Sequence, residues 1–340
     1  MKVFMIGGTG LLGSVASEEF ISRGHKVTTL ALPGLPPGAK FNPEMKIIEG
    51  DYNKMTDDEV AALMDGCDCF VFAAGVDERV SFPPPVYDAY YKYNVASVDR
   101  LLSIGKKAGI TKAVVFGSYF THMDRVYPEM EIAKKHPYVR SRLEQQKVAL
   151  SYAADGKMDV SVLELPYIFG TQPGRKPVWT MLTERIAKMG PVTMYPKGGT
   201  AMVTIRQVGQ ATVGAAERNK GACICPIAMY NYTWNDFLDI VHDAMGQHGR
   251  KIINIPKWMF RLYALNTARA DAKNGVEMGL NPIALGDLMF MKCYMDTRVA
   301  KELGVTDDDI RSAIFDSIHL SIEAGKANSN LIGMVAEASK

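Results

Sequence analysis

The chain has 340 residues, 47% hydrophobic and 22% charged, with a formal net charge of +2. That is a globular balance with ample length for a large core, in two lobes or one elaborated α/β unit. It gives no broad electrostatic case for nucleic acid or an acidic membrane surface as partner.

The opening residues MKVFMIGG begin a buried strand at once and leave no room for a signal peptide. No apolar run reaches the ~18–20 residues that cross a bilayer. The expectation is a cytoplasmic protein with reduced cysteines. Cys67 and Cys69 lie in DGCDCFVFAAG, and Cys223 and Cys225 in KGACICPIA. They read as small residues alternating on two strands rather than as a metal site, because zinc ligands favour a two-residue gap on a turn. The six histidines show no metal-ligand spacing, and no metal is expected.

In chain order, KVFMI (2–6) is an apolar run that stops at glycines, and LLGSVASEEFISRG has helical spacing. HKVTTLAL is the next strand, MKIIEGD the third, DDEVAALMDG a helix and CFVFAAG the fourth strand. VYDAYYKYNVASVDRLLSIGKKAG reads as one long helix, followed by the strand AVVFGS. The HPYVRSRLEQQKVALSYAA helix and the strand MDVSVLELPYIFG come next. Nearly all-apolar strands alternating with helices predict an α/β fold, a doubly wound parallel sheet of Rossmann type. Beyond Gly170 the rhythm becomes irregular, with prolines and glycines clustered in GTQPGRKP and MYPKGGT. Residues 1–170 therefore form a first domain, 171–325 a region that covers the substrate, and 326–340 a polar tail. Within the second region, TIRQVGQATVGAAERNKGACICPI is a helix and strand that return to the sheet. YTWNDFLDIVHDAMG and IPKWMFRLYALNTARADA are helical.

GGTGLLG, residues 7–13, joins the first strand to the first helix. Gly8, Gly10 and Gly13 satisfy the dinucleotide pattern, and Gly7, Gly10 and Gly13 its three-residue-spaced variant. The chain must turn tightly there, approach a pyrophosphate and bring helix to strand. Unpaired N–H groups at the helix start then face the phosphates, through Thr9, Leu11 and Leu12 as well as the glycines. Residues 1–170 are thus a dinucleotide-binding domain. An acid ending the second strand would hold the ribose 2′-hydroxyl of NAD. Ala31 and Leu32 stand there instead. The absence leans to NADP over NAD, with Lys40 the nearest cation downstream. Asp51, in EGDYN beside Tyr52, either reaches the adenine ring or caps its own loop.

These residues resemble the extended short-chain dehydrogenases/reductases, including the sugar epimerase/dehydratase and dihydroflavonol-reductase-like branches. The likeness runs from Met1 to about residue 320. It is carried by GGTGLLG, EGD, FAAG at 72–75, Asn94 in YNVAS, the PYVRSR helix, LPYIFG at 165–170 and CYMDTRVAKELG. The resemblance implies that Ala73, Ala74 and Gly75 line the cofactor, and that Pro166, Tyr167, Ile168 and Phe169 pass near the nicotinamide. It implies a homodimer through helices over 84–108 and 138–154. It also implies that Tyr138 is the acid/base and that a lysine four residues on poises it. Here that position is Arg142. A phenol with pKa near ~10 needs a fixed positive charge beside it, and the four-residue step puts both groups on one helix face. Arginine keeps the charge but changes the hydrogen bonds.

The family's serine or threonine past the fifth strand, which would orient the substrate oxygen, aligns with Tyr119, with Ser118 and Thr121 behind it. Each hydroxyl has a plainer use in capping the strand end. Glu164, in a slot often filled by arginine, and Arg206 with Gln207, where an aspartate pair is usual, weaken transfer of the sugar-nucleotide substrate class. His122 and His136 read as surface or supporting residues, and Arg175 and Lys176 as loop charge. Trp179, Trp258, Met259, Phe260 and Tyr263 read as helix core rather than pocket lining. The leading expectation is an NAD(P)-dependent oxidoreductase moving a hydride to or from a carbonyl/alcohol carbon of a small molecule. The alternatives are an epimerase or dehydratase of a nucleotide sugar, or a catalytically inactive dinucleotide-binding sensor.

Overall fold

The computed structural model describes residues 1–325 and 331, so the expected polar tail lies, but for residue 331, outside the described residues. The strands are β1 (Lys2–Ile6), β2 (Lys26–Ala31), β3 (Lys46–Glu49), β4 (Cys69–Phe72), β5 (Lys112–Phe116), β6 (Asp159–Glu164) and β7 (Tyr167–Phe169). They continue as β8 (Val192–Tyr195), β9 (Gly199–Thr204), β10 (Ala222–Pro226), β11 (Tyr230–Thr233), β12 (Lys251–Asn254) and β13 (Lys292–Cys293). Seven of them form one parallel sheet in the order β10-β6-β5-β4-β1-β2-β3. The order reverses beside β1, which opens a crevice at the carboxyl ends of β1 and β4.

Both faces of this sheet are covered, as its unbroken apolar strands require. Val3, Met5 and Val71 face α1 (Leu11–Ser22) and a later helix over Ile205–Arg218. Phe4, Phe70 and Phe72 face α2 (Asp57–Met64) and Leu101 and Leu102 beyond it. The alternation follows from the two-residue period of a strand. Further helices are α3 (Val86–Tyr90), α4 (Ser97–Lys107), α5 (Tyr119–Val126), α6 (Ile132–Lys135) and α7 (Pro137–Ser151). After them come α8 (Thr180–Lys188), α9 (Ile205–Arg218), α10 (Trp234–Ala244) and α11 (Lys257–Lys273).

Three sequence expectations change. The expected strand MDVSVLELPYIFG is two strands, because Pro166 has no N–H to donate and breaks the ladder. β7 leaves the main sheet and pairs with β9 in a second one. The expected single helix over 86–109 is interrupted by a π turn at Tyr91–Ala96, with a consequence for Asn94 given below. Trp258, Met259 and Tyr263 do not lie in the core. α11 buries only Ala264, and Trp258 is 62% exposed. Helical periodicity locates a stripe but does not say that anything covers it. Cys67 and Cys69 at β4 are separated by two intervening strands, β5 and β6, from Cys223 and Cys225 on β10, so the four do not converge. No described helix is long and apolar enough to cross a membrane.

Candidate active site

The glycine loop follows directly from β1. Gly7 has φ 90°, and a Cβ there would lie 2.9 Å from the Ala73 carbonyl oxygen. A Cβ on Gly13 would lie 2.2 Å from the Gly7 carbonyl oxygen, so helix α1 can start this close to β1 only without a side chain. Gly8 N–H donates to Thr29 Oγ1 at 2.9 Å, and that hydroxyl donates to the Met5 carbonyl at 3.0 Å. Thr29, on β2, therefore sets the height of the loop. No side chain caps the start of α1 at Gly10, which leaves its first-turn N–H groups for an anion. Gln172, after β7, donates to the Thr9 carbonyl at 3.1 Å and to Ser14 Oγ at 3.2 Å, tying the far loop to this one.

Ala73, Ala74 and Gly75 leave the end of β4 beside that loop. Gly75 has φ 125°, and a Cβ there would meet Asn94 Oδ1 at 2.9 Å and Arg142 Nη1 at 3.3 Å. Asn94 is fully buried. The π turn adds a residue to its helical turn, a device that re-aims side chains at functional sites. Asn94 Oδ1 accepts the Val76 N–H at 2.9 Å, and its Nδ2 donates to the Val76 carbonyl at 3.0 Å and to Ser141 Oγ at 3.3 Å.

Arg142 reaches the same point from α7. Its Nη2 donates to the Val76 carbonyl at 3.1 Å, and its Nη1 to the Phe116 carbonyl at 3.3 Å and to Gln145 Oε1 at 3.0 Å. Gln145 in turn donates to the Asn94 carbonyl at 2.9 Å. The Arg142 Nε is buried without a partner among the described residues. The guanidinium centre stands 5.3 Å from the Tyr138 ring centroid. Tyr138 is buried between the rings of Tyr90 and Phe120, at 5.6 and 6.4 Å between centroids. Burial pushes its phenol above the usual range, while the Arg142 charge and the Ser118 hydroxyl pull it back.

The three hydroxyls at the end of β5 face different ways. Ser118 caps α5, accepting the Phe120 N–H at 3.4 Å, and lies on the Tyr138 side. Tyr119 OH accepts from Thr200 at 3.4 Å and its ring meets Tyr167 edge-on. Burial raises this phenol well above its ordinary value. Thr121 donates to the Ser118 carbonyl at 2.7 Å and to Glu164 Oε1 at 2.8 Å. Glu164 also accepts two bonds from Arg125, at 2.8 and 2.7 Å. Against the burial that would raise it, these bonds bring its carboxyl down to about 2. Arginine is thus supplied to this position from α5.

Asp51 accepts the Asn53 N–H at 2.9 Å in its own turn, and Tyr52 OH donates to Ser97 at 3.4 Å. Phe169 is fully buried and stacks on Trp179 at 4.5 Å. His136 is buried, and its Nδ1 accepts the Asn281 N–H at 3.0 Å. Arg175 donates to Gln172 Oε1 at 2.9 Å. Leu32 and Lys40 are exposed.

Sequence reasoning missed Thr29, Val76, Ser141, Gln145 and Gln172, none of which belongs to a spaced pattern. It also passed over Glu78, in the loop after β4. Burial, then the neighbouring Asp77, hold its carboxyl above the ordinary range, and the Arg142 charge acts against them. A charged triplet, Asp77-Glu78-Arg79, one residue after the apolar FAAG was the available signal.

A family model described as the NAD dependent epimerase/dehydratase family matches residues 3–211. A UDP-glucose 4-epimerase of Corynebacterium glutamicum is 24% identical over 159 residues, 45% of this chain and 47% of that protein. The match thus spans about half the length of that curated relative. Among solved structures, the crystal structure of gox2253 superposes with TM-score 0.74 at 19% identity, over 96% of this chain and 99% of the other. The UDP-glucose 4-epimerase of Bifidobacterium longum in complex with NAD+ and UDP gives 0.65 at 16% identity, over 96% and 99%. MoeE5 in complex with UDP-glucuronic acid and NAD gives 0.64 at 17%, over 95% and 100%. The lean to NADP drawn from Ala31 and Leu32 gains no support from these likenesses.

Proposed function

The chain belongs to the NAD dependent epimerase/dehydratase family, and from that premise we propose that it is an epimerase or dehydratase of a nucleotide sugar working with a tightly held NAD. The observation that carries this reading is the extent of the family match. Residues 3–211 take in both the glycine loop and the Tyr138–Arg142 helix. A net oxidoreductase, the leading expectation from sequence, has only the coarser support of a dinucleotide fold.

The residues present fit NAD. The uncapped start of α1 and the Gly7–Gly13 approach suit a pyrophosphate. The orphaned Arg142 Nε leaves one buried donor for a ribose hydroxyl. Bound NAD would supply a reversible hydride acceptor. Tyr138 takes the proton of the substrate hydroxyl being oxidised and gives it back. Arg142 favours the phenolate and steadies the loop through Val76. Ser118 orients the substrate oxygen, and Asn94 fixes the backbone at Gly75–Val76. The buried rings of Tyr90 and Phe120 exclude water from the proton-transfer step.

The test is to incubate the protein with NAD and UDP-glucose, UDP-galactose or UDP-glucuronic acid and follow the sugar protons by NMR. Appearance of an epimer or dehydrated sugar without net NADH supports the reading. Stoichiometric NADH accumulation returns the protein to net oxidoreductases. Binding of NAD with no turnover of any nucleotide sugar overturns the substrate class.

A further inference from the structure

α11 carries an apolar face that is largely exposed. Trp258, Met259, Leu262 and Tyr263 are 62%, 37%, 56% and 51% exposed. They stand at i, i+1, i+4 and i+5, which places them on one outward side of a helix. Only Ala264, on the opposite side, is buried. α8 extends the patch. Met181 is 57% exposed, and Arg185, one turn on, stacks its guanidinium over the Tyr263 ring at 5.4 Å. Scattered exposed apolar residues need no explanation, but a contiguous cluster of large ones marks a contact surface.

Charge says what kind of surface it meets. α11 holds four cations, Lys257, Arg261, Arg269 and Lys273, against one acid, Asp271. Lys257 is paired with Asp287 at 2.5 Å. Arg261, Arg269 and Lys273 make no ion pair among the described residues. On the helix wheel Arg269 and Lys273 fall in the same outward sector as Trp258 and Leu262, further along the helix, and Arg261 lies about 60° outside that sector. An uncovered helix with Trp, Leu, Met and Tyr outward and unpaired arginine and lysine around them has the make-up of a helix lying in a lipid interface. Trp and Tyr favour that depth because each has an apolar body and a polar tip. The net charge of +2 hides this cluster because acids elsewhere balance it.

We propose that α11, with the adjoining face of α8, docks this protein in-plane on an anionic lipid surface, with Trp258 and Leu262 inserted and Arg261, Arg269 and Lys273 against the headgroups. This is contact without crossing. Past α11, the chain runs on to Gly279, whose carbonyl accepts the Tyr138 N–H at 3.0 Å. The docking helix is therefore continuous with the segment that covers the candidate site.

The experiment is vesicle co-sedimentation of the full chain, with tryptophan emission read in parallel. Vesicles of phosphatidylcholine alone are compared with vesicles carrying about one-third phosphatidylglycerol. Trp258 is the indole that reports, because Trp234 is buried and Trp179 stacks on Phe169. Binding and a blue shift are expected with the anionic vesicles, weakening as salt is raised. Trp258→Ser with Leu262→Ser should lower vesicle affinity by about tenfold or more. Arg261→Gln with Arg269→Gln and Lys273→Gln should remove the preference for anionic lipid. All five side chains are on the surface, so the variants should keep the wild-type melting curve, which is measured alongside. Absence of binding to anionic vesicles overturns the proposal, as does binding that the Trp258/Leu262 change leaves intact. A wild-type dimer that this change dissociates, without lipid binding, assigns the face to a second copy and also overturns it.

Discussion

Removing the Arg125 side chain should destabilise the fold from beneath the candidate site. Glu164 is wholly buried, and its carboxylate takes two bonds from Arg125, one from Thr121 and one from Gln146 at 3.2 Å. Its pKa falls from an ordinary 4.5 to about 2. Each unit corresponds to about 1.4 kcal/mol, so the charged form is favoured on folding by roughly 3 kcal/mol. Because the Arg125 side chain is 42% exposed, solvent screening lowers the realised figure to about 2–3 kcal/mol. A folded pKa below the unfolded one gives stability that is whole above 4.5 and lost as pH falls toward 2. Arg125→Met leaves a buried carboxylate without its counter-ion, a change of about 3 kcal/mol or more. Urea unfolding at pH 7 and pH 3 measures both effects. The variant should be less stable at pH 7 by that amount, and the gap should narrow by about half at pH 3. Arg125→Met with Glu164→Gln should recover part of the loss. A deficit under about 1 kcal/mol at pH 7, or one independent of pH, would refute the reasoning.

Four further outcomes follow from the same geometry. Tyr138→Phe should lower turnover by about 10²–10⁴-fold while NAD affinity, read by calorimetry, stays within a factor of a few. Gly13→Ala should abolish NAD binding, since its Cβ meets the Gly7 carbonyl oxygen at 2.2 Å, and circular dichroism checks that the fold persists. Ser118→Ala should lower kcat as well as cost about 0.5–2 kcal/mol through the lost cap of α5, whereas Thr121→Ala should cost about 1–2 kcal/mol of stability and spare kcat. Burial, then Lys135, hold the His136 ring down to about 4. Its contribution to stability is whole above about 6.5 and lost as pH falls toward 4, and an NMR titration showing a pKa of 6 or higher would contradict the buried, neutral ring.

What the sequence disclosed, and what it withheld, divides by the range of the contacts. The glycine loop was legible because its constraint is local. A side chain on Gly13 would collide with the Gly7 carbonyl, and their spacing records that. The Tyr138–Arg142 pair was legible for the same reason, through one helical turn. The partners of Arg142 were not. Val76 lies 66 residues away and Phe116 26, and both offer backbone carbonyls, which leave no mark on residue type. Gln172 meets Thr9 across 163 residues. The choice among Ser118, Tyr119 and Thr121 was equally hidden, because it depends on the residue at which strand gives way to helix, and ends are the least determined part of an element. With Ser118 as the cap of α5, the next side chain turns a further 100° or so about the helix axis. Tyr119 is carried to Thr200 and Tyr167 by that turn, and Ser118 is left beside Tyr138. The π turn at Asn94 works in the same way. One extra residue in a helix that sequence shows as unbroken decides which side chain enters the site. In both places the chemistry is set by a phase of rotation, and periodicity gives the period without the phase.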